Sequence, residues 1–125
     1  MSNHRRHLVQ TYFDHMTAGN IDAIVAMFTP DGLVHSPFLG VIKAGEFYAK
    51  LDNASAQSIL TVLDVLVGET TAVARFRYDW TLRGGDKILF EGVDHFTFDD
   101  QDLFTDMRIY YDTHPARQEV GDKYA

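Results

Sequence analysis

Cysteine is absent from these 125 residues, which excludes disulfides and thiolate chemistry while leaving the redox compartment open. Basic side chains are scarce beside acidic ones. With 11 Lys and Arg against 18 Asp and Glu the net charge is −7, which argues against nucleic acid or an anionic membrane surface as a partner. No apolar run approaches the ~20 residues that a membrane helix needs. The opening MSNHRRHLVQ carries no apolar signal core, so the expected location is cytoplasmic. The phosphate loop, the GxGxxG turn, the GxSxG elbow and the HExxH pair are missing too. There is no internal repeat, linker or low-complexity segment. What remains is a chain 46% hydrophobic and 13% aromatic, rich in flat side chains that can line a cavity. Its length fits one domain, 1–125, with a substantial core.

The first half reads as helices. Leu8, Val9, Tyr12, Phe13 and Met16 recur at three- and four-residue spacing and predict a helix over Arg6 to Thr17. Gly19 is placed to cap its end and Asn20 to open the next helix, Ile21 to Phe28, which Thr29-Pro30-Asp31-Gly32 stops. A short strand, Leu33 to Ser36, leads through a loop at Pro37 and Gly40 to a third helix over Ala44 to Leu51, with Phe47, Tyr48 and Leu51 facing inward. After Asp52 the pattern changes to long β runs at Ser58–Val67, Thr71–Leu82, Lys87–Phe98 and Leu103–Asp112. Gly and Asp at their junctions are hairpin chemistry, so an antiparallel meander is expected. Helices followed by a meander is an α+β order. Residues 113–125 read as a loose polar tail.

Strand parity then singles out one side chain. In KILFEGVDHFTF, Lys87–Phe98, the residues Ile88, Phe90, Gly92, Asp94, Phe96 and Phe98 share one face, and Lys87, Glu91, His95 and Thr97 the other. Asp94 is thus a lone carboxyl on an apolar face. Such a group takes up a proton rather than remain charged, and a protonated acid can donate a hydrogen bond to a ligand's oxygen. An Asp accepting structural hydrogen bonds satisfies the same pattern, so both readings stand.

The other candidates sort by the same rule. Ala74, Phe76, Tyr78, Trp80 and Leu82 share the apolar parity, whereas Arg75, Arg77, Asp79 and Thr81 face outward, which makes Arg77 and Asp79 a surface charge ladder rather than a catalytic dyad. Met107, Ile109 and Tyr111 face in with Leu103, and Asp106, Arg108 and Asp112 face out. Six histidines suggest a metal, but His4 and His7 sit in a fraying segment without an acidic cluster, and His95 points away from Asp94; no metal is expected. His35 stands at a strand-to-loop junction, where a bulge could turn it inward.

Taken together, AGNIDAIVAMFTPDGLVHSPFLG at Ala18–Gly40, EFYAKL at Glu46–Leu51, GVDHFTFDD at Gly92–Asp100 and RIYYD at Arg108–Asp112 resemble the NTF2-like superfamily, in its ketosteroid isomerase and SnoaL-like branch. The resemblance runs from Tyr12 to Asp112. It implies a cone of three helices packed in a strongly curved mixed sheet, with a deep apolar pocket for a small apolar molecule, no cofactor, and homodimers through the outer sheet face.

Within ketosteroid isomerases, Tyr12 matches the oxyanion-hole tyrosine and Asp94 the protonated aspartic acid beside it. Tyr48 matches a supporting tyrosine, and Phe28 replaces another. Phe76, Met107 and Tyr111 match pocket walls, to which the parity adds Tyr78, Trp80, Phe96 and Ile109. The departure is Ser36, which takes the place of the general-base aspartate and cannot abstract a proton by itself. Ile109 stands where the related limonene epoxide hydrolases keep an acid, which argues against that chemistry. The resemblance therefore implies a site in which Tyr12 and neutral Asp94 hold a carbonyl oxygen. The base would be His35, a water on Ser36 or the substrate itself; alternatively, the domain binds its ligand without catalysis.

Overall fold

The computed structural model describes residues 2–111; the expected tail at 113–125 and Asp112 lie outside them. Helix α1, Ser2–Ala18, begins earlier than its apolar stripe suggests. Arg5 accounts for the extension. Its Nε donates to Asp102 Oδ1 at 2.8 Å, Nη1 donates to the Glu69 carbonyl at 2.9 Å, and the guanidinium lies 4.7 Å from the centre of the Phe98 ring. These contacts hold a helix end that would otherwise fray. The stripe Val9, Tyr12, Phe13 and Met16 is buried as the spacing requires.

Helix α2 is a short Ile21–Val25. Phe28 does not end it, as expected, but opens strand β1, Phe28–Ser36. The Thr29-Pro30-Asp31-Gly32 stretch falls in a register shift between Phe28 and Leu33, an irregularity suited to a residue that cannot donate a ladder hydrogen bond. Strand β2, Gly40–Lys43, replaces the expected loop and pairs antiparallel with β1. Four residues on a sheet edge are too few to show alternation. Gly40, at φ +73°, makes the turn into it. Helix α3, Ala44–Ala54, runs directly into β3, Ser55–Val67, and β4, Thr71–Leu82, β5, Lys87–Phe98, and β6, Phe104–Tyr111, complete the chain.

The six strands form one curved mixed sheet in the order β2-β1-β6-β5-β4-β3, with β1 parallel to β6 and every other neighbouring pair antiparallel. The α+β class and the helix-filled curved sheet match the expected architecture. One detail of β6 differs. Thr97 pairs with Asp106 but Phe98 with Phe104, so Thr105 is an inserted residue and Phe104, not Leu103, enters the core. Within β5, Gly92 is needed for space. A Cβ there would sit 2.8 Å from Cζ of Phe76, its cross-strand partner. On the outer face Arg75 pairs with Glu91 at 2.8 Å and Arg77 approaches Asp79 at 3.8 Å, all four well exposed, so neither pair contributes much to stability.

Candidate functional site

Asp94 occupies the middle of β5, flanked in the ladder by Ala74 of β4 and Ile109 of β6. Its residue exposure is 3%, and among the described residues Oδ1 has no hydrogen-bond partner. Desolvation pushes its carboxyl well above the usual range, so the neutral acid is favoured. No cation on β5 shares its face to reverse that preference.

Tyr12 reaches the same region from α1. Its ring meets Phe96 edge-on at 5.1 Å and Phe13 at 5.0 Å, and its hydroxyl oxygen lies 2.6 Å from that of Tyr48 on α3. Either hydroxyl is placed to donate to the other. The pair has two protons and needs only one between the oxygens, so the second is available to a third group. Burial, first of all, raises both phenols well above their ordinary value, with the nearby Asp94 adding to the rise in each. Both therefore remain protonated donors.

Tyr12 and Asp94 border a cavity of about 90 Å³. Tyr12, Met16, Phe47 and Leu51 close its helical side, and Leu60, Phe76, Tyr78, Trp80, Phe90, Asp94, Ile109 and Tyr111 its sheet side. Phe38, in the turn between β1 and β2, completes the lining although 72% exposed, with its ring centre 5.7 Å from that of Tyr111. A partly open, largely apolar pocket with few polar groups suits a small molecule.

Several expected wall residues lie elsewhere. Tyr48 is behind Tyr12 rather than on the cavity surface, and Phe28 packs behind Tyr48 at 5.8 Å. Phe96 and Met107, a cross-strand pair, are fully buried beneath the lining. Ser36 does not border the cavity; its Oγ accepts from the backbone N–H groups of Phe38 and Leu39, each at 3.2 Å, and so shapes the turn that carries Phe38. His35 is not turned inward. The β1–β6 register pairs Val34 with Met107 on the buried side, which leaves His35 on the outer face with Nε2 3.6 Å from Asp106 Oδ2. Phe38 and Leu60 are wall residues that the sequence did not single out; Leu60 could have been found from the Ser58, Leu60, Val62 alternation. Among the described residues no three His, Asp or Glu side chains gather to hold a metal ion, and no helix is long and apolar enough to cross a membrane.

Comparison with known proteins bears on this geometry. The family model for the SnoaL-like domain matches residues 9–107. A steroid Delta-isomerase of Nocardioides simplex is 28% identical over 117 residues, covering 89% of this chain and 92% of that one. Among solved structures, the epoxide hydrolase/cyclase-like enzyme SalBIII, described in pyran ring formation in the polyether salinomycin, superposes with a TM-score of 0.79 at 20% identity, over 89% of this chain and 92% of its own. AclR from Streptomyces galilaeus gives 0.78 at 16% identity, over 98% and 83%. The two structures share the fold.

Proposed function

The chain belongs to the SnoaL-like domain family, and on that premise we propose that its cavity binds a small, largely apolar molecule by one carbonyl oxygen, which Tyr12 and neutral Asp94 polarise toward an enolate. The observation that carries this reading is the unpartnered, desolvated Asp94 Oδ1 beside the cavity. With Tyr48 donating to Tyr12, the Tyr12 proton points to the ligand, and the Asp94 proton is the second donor. Charge gathering on the oxygen as an α-proton leaves then meets two prepared donors, each of the kind worth ~10²–10³ in rate. The likeness to a steroid Delta-isomerase supports an isomerase or lyase of this type. The α-proton passes to a water or to a basic group of the substrate, since Asp94 is the sole carboxyl and no imidazole is present among the described lining residues.

That same scarcity of ionisable groups favours a second reading, a binding module that orients its ligand without turnover. Hydrogen–deuterium exchange at the α-carbon of a cyclic enone separates the two. Exchange faster with the wild type than with Asp94→Leu supports enolisation; saturable binding without any gain in exchange supports the module; no binding at all overturns both.

A further inference from the structure

A second polar pole stands at the other end of the cavity. Tyr78 of β4 lines it, and its hydroxyl oxygen lies 2.8 Å from Ser58 Oγ of β3. Tyr78 pairs with Phe90, four residues before Asp94 on β5, so the backbone positions of the two poles are about 13 Å apart along the strand. The neighbouring donors are already engaged. Trp80 Nε1 donates to Ser55 Oγ at 2.8 Å, and Ser55 donates to the Leu51 carbonyl at 2.6 Å. The Tyr78–Ser58 pair is different. Two hydroxyls contain two protons, and the bond between them uses one. If Ser58 donates, the Tyr78 proton has no use in that bond; if Tyr78 donates, its oxygen keeps an open acceptor site. Ser55 also approaches the Tyr78 hydroxyl, so the Tyr78 proton can go to either serine while its oxygen keeps an acceptor site for a ligand's hydroxyl. Ser58 also borders a separate groove of about 180 Å³ beyond Met16 and Leu51.

We propose that Tyr78, oriented by Ser58, is a second binding pole, and that the ligand carries a second oxygen function that it meets. One oxygen sits at Tyr12 and Asp94, the other at Tyr78. This inference rests on the reading that Tyr12 and Asp94 hold a ligand oxygen. A mono-oxygenated skeleton of the same shape forgoes that second hydrogen bond and binds less tightly.

Two probes of one skeleton test it on the full chain: 2-naphthol, with one oxygen, and 2,6-dihydroxynaphthalene, with one at each end. Calorimetric titration should give the wild type about tenfold tighter binding of the diol, beyond the about twofold expected from its two equivalent orientations. Tyr78→Phe should return the ratio to about twofold. A crystal structure of the wild-type complex gives an independent readout if that variant folds poorly, with the second oxygen within hydrogen-bond reach of the Tyr78 hydroxyl. Binding of both probes by the wild type in the statistical ratio, or a second oxygen away from Tyr78, overturns this inference and leaves the Tyr12–Asp94 reading standing. Failure of the wild type to bind either probe overturns both.

Discussion

The hydroxyl oxygens of Tyr12 and Tyr48 lie 2.6 Å apart in full burial, and they join α1 to α3 through one short hydrogen bond. Removing either hydroxyl leaves the other without this partner, and an unsatisfied buried hydroxyl costs about 1–3 kcal/mol. Tyr12→Phe and Tyr48→Phe should each destabilise by about that amount, whereas the double variant should cost less than their sum, because no orphan remains. Chemical denaturation of the three variants measures the coupling. Strict additivity would mean that the two hydroxyls do not interact in solution.

Asp94 gives the chain a characteristic pH dependence. Its folded pKa lies above the unfolded value of about 4, so the folded state binds the proton more tightly. The resulting stability is fully present below the unfolded pKa and is lost as pH rises through the folded one. Asp94→Asn, which keeps the shape and a donor, should cost little at neutral pH and should flatten this decline. Denaturation midpoints of the two proteins across the range from acid to mildly alkaline pH provide the check; parallel profiles would contradict it.

Sequence patterning made part of this site legible. Period-two alternation in Lys87–Phe98 was enough to put Asp94 on the buried side, and helical spacing put Tyr12 on the buried face of α1. Three features escaped for physical reasons. The Thr105 insertion that brings Phe104 inward has no local signature, because a bulge is defined by the partner strand. Strand β2 is too short to alternate. The outward direction of His35 follows from the parallel pairing of β1 with β6, a contact between opposite ends of the described chain that no local pattern encodes. That Tyr48 supports the site was implied by the family resemblance alone, and its hydrogen bond to Tyr12 was not foreseen, since nothing in helical spacing links α1 to α3.

Gly92 bears on the cavity wall. An alanine Cβ would lie 2.8 Å from Phe76 Cζ and 3.1 Å from the Tyr110 carbonyl oxygen. The backbone oxygen cannot retreat as a flexible side-chain tip would, so Phe76 must shift toward the cavity it lines. Gly92→Ala should destabilise by about 1–3 kcal/mol and weaken 2-naphthol binding. An affinity unchanged from wild type would show that the ring relaxes in another direction.

The outer face bears on assembly. Leu66 and Leu89 are 64% and 59% exposed, and Tyr110 is 56% exposed, beside the Arg75–Glu91 pair. We propose that this face is covered by a second copy, with Leu66, Leu89 and Tyr110 set around the ion pairs. Light scattering at micromolar concentration should give twice the chain mass of 14.2 kDa, falling to the single mass for Leu89→Glu. A wild-type monomer would contradict this.

The protonation state of one carboxyl decides the proposed chemistry, because only neutral Asp94 can stand beside Tyr12 as a donor. Carbon-13 NMR of the Asp94 side chain, assigned by its absence in Asp94→Asn, reads that state directly at about pH 7, above the ordinary carboxyl range. The carboxyl carbon should resonate as a protonated acid and move to the carboxylate position only at higher pH. A carboxylate shift already present at about pH 6, well above an unperturbed carboxyl pKa, would mean that Asp94 is ionised, and the donor role assigned to it would be wrong.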